Sequence, residues 1–297
     1  MKLSVEFVPY ILEQRTREIA CFLPGEEDED NQLRLAALHE VIEVITSYTS
    51  PGTEVTWLAT MSYRKVKGLL RNDDPYRKIK SEEKTLAKKL VDKYLKRYME
   101  EDIDVAKKLE VFVKASAIAS ALNLMCENNV DQIERELERI QEFKVKGLEP
   151  KALVETLREA RIAFIPCGVG EFLFDLQLIK ILTSDLGARV RIYVKTGAYM
   201  NHLTYGEVLE GFTLPENTQV IPLQTDAAGV DKSLISKGEL DDIASNDIII
   251  AKGVMNYCGL HNSGIKTPAY VIMRPDALPL YRTLGVARLE AVIVRVI

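Results

Sequence analysis

One segment, residues 161–195, constrains the fold of this chain more than any other. Residues 162–165 form a short apolar run that a proline and a glycine bound, a pattern typical of a buried strand. Apolar residues recur at helical spacing over residues 172–182, and residues 190–194 then alternate as a second strand. Two strands joined through a helix are expected to lie parallel, with a right-handed crossover. Because ligands of open α/β sheets bind at the carboxyl ends of the strands, the loop at 167–170 is the expected site.

The two halves of the chain differ in the pattern of their apolar residues. Residues 1–150 contain a succession of about six amphipathic helical patterns, and the acidic run at 26–30 is typical of a solvated loop. After residue 150, short apolar runs alternate with helical patterns, namely 162–165, 190–194, 219–223, 248–251, 269–273 and 291–296. We therefore predict an N-terminal α-helical bundle domain (1–150), followed by a Rossmann-like α/β domain (151–297). The second domain is expected to hold a mainly parallel sheet with helices on both faces.

Composition excludes several classes of function. With 47% hydrophobic and 28% charged residues the chain is typical of a soluble globular protein, and its net charge of −5 argues against nucleic acid as a partner. No apolar run is long enough for a membrane span, since the best one, at 111–125, contains Lys114. The first residues lack the apolar core of a signal peptide, and the four cysteines form no Cys-x-x-Cys pair. We therefore expect a cytoplasmic protein that contacts neither membrane nor nucleic acid.

Two features at the predicted strand ends bear on ligand binding. Gly168 and Gly170 resemble the start of a dinucleotide-binding loop, but Leu173 stands where the third glycine belongs, which disfavours that function. A buried strand delivers Lys252 and Gly253 to the same edge of the sheet. The lysine either meets a phosphate as a point charge or satisfies backbone carbonyls and a buried carboxylate, and the sequence leaves both interpretations open.

A series of short motifs, in order and spacing, gives the chain a resemblance to a known family. The motifs are Asp74-Pro75-Tyr76, Gly170-Glu171-x-x-x-Asp175, the stretch 197–204, Ala251-Lys252-Gly253 with Asn256-Tyr257, and Leu284-Gly285-Val286. The chain resembles the metal-dependent damage-control phosphatases, a former domain-of-unknown-function family related to acidic-residue methyltransferase-like proteins. The resemblance implies a helical domain joined to a Rossmann-like domain and a divalent ion (Mn, Co, Ni or Mg). It also implies hydrolysis of small sugar and metabolite phosphates.

The resemblance also indicates which residues belong to the site. The ligand- or phosphate-binding candidates are Gly168, Gly170, Asn201, Lys252 and Asn256, and the catalytic candidates are Glu171, Asp175 and Cys167. Several family positions are substituted here. The metal ligands of the family fall on Cys167, Gly168 and His202, its phosphate-contacting lysine on Asp276 beside Ala277, two further polar site residues on Ala117 and Ser120, and an N-terminal cysteine pair on Phe7 and Tyr10.

These substitutions are all expected to weaken binding of a metal ion or of a phosphoryl group. Magnesium and manganese prefer oxygen ligands, which the substituted positions no longer supply. Asp276 repels a phosphoryl group where the resemblance places a lysine. We therefore predict a preserved scaffold whose phosphatase activity is weak or lost, that is, a candidate pseudoenzyme.

Alternative functions remain open at this point. Glu171, Asp175, Asn201 and Lys252 are residues with which a residual phosphatase could still bind a metal and a phosphate. A non-catalytic relative would bind a small ligand or a protein partner. A soft-metal site is a third alternative, with the ligand candidates Cys167, His202, Cys258 and His261. A nucleophilic Cys167 with His202 as its base is a fourth, because the helix N-terminus that follows is expected to lower the pKa of the thiol.

Overall fold

The structure is a computed structural model that describes residues 1–23, 28–125 and 129–297, without the side chains of 28–30. The helices before residue 150 are α1 (Phe7–Phe22), α2 (Asp28–Tyr48), α3 (Val55–Leu70), α4 (Arg77–Tyr94), α5 (Lys96–Glu100), α6 (Val105–Ala119) and α7 (Val130–Glu138). The remaining elements are α8 (Pro150–Leu157), β1 (Arg161–Ile165), α9 (Val169–Ser184), β2 (Arg189–Lys195), α10 (Tyr205–Gly211), β3 (Thr218–Leu223), α11 (Lys237–Ala244), β4 (Ile248–Lys252), α12 (Gly253–Leu260), β5 (Ala269–Met273), α13 (Leu278–Leu284) and β6 (Val292–Arg295).

The strands form one sheet in the order β3-β2-β1-β4-β5-β6. All neighbouring strands are parallel except β6, which pairs antiparallel with β5. The predicted α/β fold with a mainly parallel sheet is therefore confirmed. The strand order reverses between β1 and β4, and their carboxyl ends form the kind of crevice in which ligands of such sheets bind.

Side chains of β1 alternate between two apolar cores, one on each face of the sheet. Ile162 and Phe164 pack into the core that α4 and α6–α9 cover, whereas Ala163 and Ile165 pack into the core that α1–α3 and α11–α13 cover. The N-terminal helices thus contribute to both faces. The division into two domains near residue 150 stays a prediction.

Some predicted element bounds differ from the structure. The acidic run was expected to be a loop, but its described part belongs to α2, which begins at Asp28; residues 26 and 27 lie outside the described residues. Helix α4 begins at Arg77, two residues after Pro75, because a proline disfavours helix only at the residue before it. Within the described residues, no helix is long and apolar enough to span a membrane.

Helix α12 packs closely against the segment that follows β3. A Cβ atom at Gly259 would lie 2.2 Å from the carbonyl oxygen of Val230, a distance that forces the backbone to move. We expect Gly259→Ala to lower the free energy of unfolding by about 1–3 kcal/mol, because this core has no room for an added methyl group. Urea denaturation measures the change.

Gly238 supplies the matched control. It lies in α11, and a Cβ atom there would meet nothing within 4 Å. Gly238→Ala should leave stability unchanged or raise it by up to about 1 kcal/mol, since alanine favours helix over glycine. Equal unfolding midpoints for Gly259→Ala and the wild type would contradict the packing described here.

Candidate functional site

A cleft of about 190 Å³ opens at the carboxyl edge of the sheet. Both halves of the chain contribute to its walls, with Tyr10, Arg15, Arg17, Ser120, Cys167, Glu171, Asn201, His202, Gly253, Arg274, Asp276 and Arg288 among the lining residues. The loop at 167–170 was predicted to form the site, and its first residue lies at the cleft.

Two segments meet at this edge and hold each other in place. The N–H of Leu203 donates to the carbonyl oxygen of Cys167 at 2.8 Å, and the N–H of Val169 donates to that of Asn201 at 3.0 Å. Gly168 and His202 form a β-bridge between these two contacts. Residues that the sequence separates by more than thirty positions are therefore fixed side by side.

Cys167, His202 and Lys195 form a chain of polar contacts. The Sγ atom of Cys167 lies 3.4 Å from Nε2 of His202, and Nδ1 of the same ring lies 3.0 Å from Nζ of Lys195. The lysine also donates to the carbonyl oxygen of Ala227 at 2.6 Å. Burial lowers the pKa of His202 well below its usual value, and the charge of Lys195 lowers it further, so the imidazole is neutral.

The electrostatics of Cys167 and Lys195 follow from the same environment. Burial lowers the pKa of Lys195 to about 8. Burial also raises the pKa of the Cys167 thiol; the charge of Glu171 adds to this effect, whereas Lys195 and Lys252 oppose it. The sequence led us to expect that a helix N-terminus lowers this pKa. The structure corrects that expectation, because desolvation of the thiolate outweighs the favourable charges.

Lys252 lies beneath the cleft and is fully buried. Its ammonium group donates to the carbonyl oxygen of Ser116 at 2.7 Å and to its hydroxyl at 2.8 Å. The same group forms ion pairs with Asp175 at 3.1 Å and with Glu171 at 3.4 Å. These contacts are those of the second interpretation, a lysine that satisfies a backbone carbonyl and buried carboxylates.

Two buried carboxyl groups, those of Glu171 and Glu83, lie close enough that the charge of Glu171 raises the pKa of Glu83. Burial raises the pKa of Glu171 to about 7, although Lys252 opposes the shift, and the hydroxyl of Ser120 donates to Oε2 at 3.3 Å. Burial likewise raises the pKa of Glu83 to about 8. Both oxygens of Glu83 accept from the side-chain amide of Asn201 at 3.1 Å. The amide that was predicted to bind ligand is therefore engaged with a carboxyl group from α4.

The predicted binding residues Gly168, Gly170 and Asn256 have close contacts of their own. A Cβ atom at Gly170 would lie 2.5 Å from Cδ2 of Leu122, and one at Gly168 would lie 3.2 Å from an oxygen of Glu171. The side-chain amide of Asn256 donates to the carbonyl oxygen of Lys252 at 2.9 Å and so braces the start of α12. Close packing at the two glycines and this hydrogen bond at Asn256 each give a physical reason for the residue type.

Asp276 lies on the opposite wall. The hydroxyl of Tyr10 donates to both of its oxygens, at 3.0 and 3.2 Å. Burial raises the pKa of this carboxyl group, whereas the hydrogen bond from Tyr10 and the charge of Arg288 lower it. The neighbouring Arg274 is held by two bonds to Glu136, at 2.6 and 3.1 Å. Several positions that the family resemblance singled out therefore do gather around one cleft.

The four proposed soft-metal ligands are not brought together. Cys167 and His202 are in contact, whereas Cys258 is buried within α12, and neither it nor His261 is among the residues lining the cleft. In the described ranges, no group of three or more His, Cys, Asp and Glu side chains is arranged to hold a metal ion. A sulfur, a ring nitrogen and the ammonium of Lys195 do not fit the oxygen preference of a magnesium- or manganese-type ion.

Three residues of the site were missed or misjudged from sequence. Glu83 occupies the apolar stripe of α4, one turn before the buried Ala87, so a carboxyl group on an inward face was the available signal. Arg15 lies on the inward face of α1 between Ile11 and Ile19 and is buried with Glu18. Lys195 ends β2, but a lysine at a strand end carries no signal of its partners.

Comparison with known proteins identifies the family. The family model of the damage-control phosphatase ARMT1-like domain matches residues 5–291. An uncharacterized protein of Methanocaldococcus jannaschii, MJ0202, is 26% identical over 268 residues, which cover 88% of this chain and 85% of that protein. The damage-control phosphatase PH1575 of Pyrococcus horikoshii is 30% identical over 189 residues, which cover 63% of each chain.

The fold has a counterpart among solved structures. The crystal structure of a DUF89 family protein from P. horikoshii (PH1575) superposes with a TM-score of 0.84 over the whole of both chains, at 23% identity. The mainly parallel sheet, whose strand order reverses between β1 and β4, places this chain in the class of doubly wound α/β proteins. The match over nearly its whole length shows that it belongs to the damage-control phosphatase ARMT1-like family.

The raised pKa of Glu83 predicts a pH-dependent stability. Because the folded state holds this proton up to about pH 8 and the unfolded state only to about 4.5, wild-type stability falls as pH rises through that window. The side chain of Glu83→Gln has no proton to lose. The free energy of unfolding of this variant minus that of the wild type should therefore rise by more than about 1 kcal/mol between pH of about 4.5 and about 8. Urea denaturation at both pH values measures this difference.

The neighbouring Glu82 is exposed and supplies the control, because Glu82→Gln should not change the slope. If the wild-type and Glu83→Gln stabilities ran parallel across the window, the assignment of Glu83 as a buried, proton-holding group would be wrong.

Proposed function

We propose that this chain binds a small phosphorylated metabolite in its cleft and hydrolyses it weakly or not at all. The observation that carries the proposal is the contact between Cys167 and His202, with Lys195 behind it. The resemblance places the metal ligands of the family at Cys167, Gly168 and His202. In this chain those positions supply the thiol of Cys167, a glycine without a side chain at 168, and the neutral imidazole of His202.

The chemistry of these groups disfavours a hard divalent ion. Magnesium and manganese bind oxygen ligands, and a thiol with an imidazole does not replace a carboxylate. When the ammonium of Lys195 donates to Nδ1 of His202, the proton of the neutral ring lies on Nε2, which then has no lone pair for a metal. The nearby charges of Lys195 and Lys252 also repel a cation.

The groups that would promote phosphoryl transfer are engaged elsewhere. Catalysis of that transfer depends on positioned positive charge around the phosphoryl oxygens. Lys252 is buried against Asp175 and Glu171, and Asp276 stands where the resemblance places a phosphate-binding lysine. The residual-phosphatase alternative needs Asn201 as well, and its amide is bound to Glu83. Weak or absent turnover is the expected consequence.

The walls of the cleft nevertheless suit an anion. Arg15, Arg17, Arg274 and Arg288 line it. The first three pair with Glu18, Glu13 and Glu136, and a guanidinium group has five N–H donors, so a paired arginine can still donate to phosphate oxygens. The carboxyl groups that share the cleft have pKa values raised by burial, which reduces their repulsion of an anion. A small phosphate ester therefore matches the charge of the cleft. A reducing cytosol as the compartment remains a prediction from the cysteine usage.

Binding and turnover can be tested on the same preparation. We expect a hexose phosphate to bind the purified protein in the presence of EDTA, measured by calorimetry. The exposed Arg288→Gln variant should bind about tenfold more weakly, because one charge-assisted hydrogen bond to phosphate is lost. Arg282→Gln is the matched control, since Arg282 is exposed and pairs with Glu6 outside the cleft.

Phosphate release should stay near background when Mg²⁺, Mn²⁺, Co²⁺ or Ni²⁺ is added to the same mixture. Rapid, EDTA-sensitive release of phosphate that Asn201→Ala abolishes would contradict the proposal and establish the residual phosphatase. If no phosphate ester binds at all, the proposal that the cleft binds a phosphorylated metabolite is wrong.

A further inference from the structure

Arg15 lines the cleft although only 1% of its surface is exposed. Its Nε atom forms an ion pair with Glu18 at 3.0 Å, and the hydroxyl of Tyr199 accepts a hydrogen bond from the same group. The other partners are weaker: Nη1 donates to the carbonyl oxygen of Ala59 at 3.4 Å, and Nη2 donates to Sδ of Met200 at 3.3 Å. A guanidinium group has five N–H donors and a thioether sulfur is a weak acceptor, so Arg15 keeps donor capacity for a better acceptor.

Two tyrosine rings hold this guanidinium group in place. Its Cζ atom lies 5.0 Å from the ring centroid of Tyr63 and 5.8 Å from that of Tyr199, both within range of a cation–π contact. The two rings pack edge to face, with their centroids 5.0 Å apart. Because Arg15 is already ordered by these contacts, an anion that reaches it does not have to immobilise a long, mobile side chain.

The side chain of Met200 covers Arg15 on the side of the cleft. Its sulfur contacts Nη2, and Met200 itself is partly exposed and lines the cleft. The φ angle of Met200 is +47°, in the left-handed region that a residue with a side chain rarely adopts. A methionine side chain is unbranched and flexible, so it can turn away from the guanidinium group while the backbone stays in place.

We propose that the phosphate group of a ligand in the cleft binds Arg15 and takes the place of the Met200 thioether on Nη2. The phosphate oxygens accept the hydrogen bonds that the sulfur accepts only weakly, and a charge-assisted bond replaces a weak one. This inference rests on the proposed function, since it names the group that anchors the phosphate of the ester. Arg15 is then a binding residue, and Met200 limits the affinity because it has to move.

The charges around Arg15 are compatible with an added anion. Burial raises the pKa of Glu18 to about 7, although Arg15 and a hydrogen bond from the hydroxyl of Tyr76 oppose the shift. Near neutral pH, a share of the molecules therefore holds Arg15 beside a protonated Glu18, and the positive charge is then uncompensated. A bound phosphate supplies the missing negative charge.

Calorimetry with glucose 6-phosphate in EDTA tests the inference on the whole chain. Met200→Ala should bind the ester about threefold to tenfold more tightly than the wild type, because no thioether has to leave Arg15 first. Met255→Ala is the matched control. Met255 also lines the cleft and is partly exposed, but it lies on α12, so its truncation should leave the affinity unchanged or lower it.

A double-variant cycle identifies Arg15 as the anchor. Arg15→Lys keeps a positive charge beside Glu18 but lacks the planar fork of donors, so we expect the affinity for glucose 6-phosphate to fall by about tenfold. In this background Met200→Ala should give no gain in affinity, because the group that it uncovers is gone. Urea denaturation checks that each variant is folded.

The outcomes separate this inference from the proposed function. If the wild type binds the ester and Met200→Ala binds it no more tightly, the phosphate does not displace Met200 and the inference is wrong, while the binding function stands. If Met255→Ala gains as much as Met200→Ala, a wider cleft explains both and the inference is again wrong. If neither the wild type nor Met200→Ala binds the ester, both proposals are wrong. Should Arg15→Lys fail to fold, the two methionine variants decide by themselves.

Discussion

The buried ammonium of Lys252 is the interaction on which the site depends. It ends β4 and binds Ser116 of α6 together with Asp175 and Glu171 of α9. One charge thus fixes the sheet to two helices, directly beneath the cleft. A buried ion pair costs desolvation, and loss of one partner costs about 3–5 kcal/mol because a charge is then left uncompensated. Such a lysine is a structural group, and its position dictates where the carboxyl groups of α9 point.

A second layer of polar groups rests on the first. Glu171 faces the cleft from the ion pair, Glu83 lies near it, and Asn201 is held by Glu83. The ion pair with Lys252 thus holds Glu171 in place, and the hydrogen bonds from Asn201 hold Glu83. Cys167 is partly exposed at the wall of the cleft, which Arg15, Arg17, Arg274 and Arg288 also line.

Much of the fold follows from local patterns. The six apolar runs became the six strands of the sheet, since strands buried on both faces need continuous apolar residues, and glycines and prolines mark their ends. The apolar stripes of the N-terminal half became helices. The sheet placed Cys167, Asn201 and His202 at one edge, as parallel strands require.

The sequence by itself determined the strand and helix periodicity, the crossovers that set the parallel sheet, and the chemical types of the residues at the strand ends. Only the tertiary structure decided the partners of those residues: Glu83 for Asn201, Lys195 for His202, and Asp175 for Lys252. The physical reason is the separation along the chain over which each kind of interaction acts. Periodicity reflects neighbours within a turn or a strand, whereas each of these contacts depends on how separate elements pack, and a side chain's charge and reactivity depend on that packing.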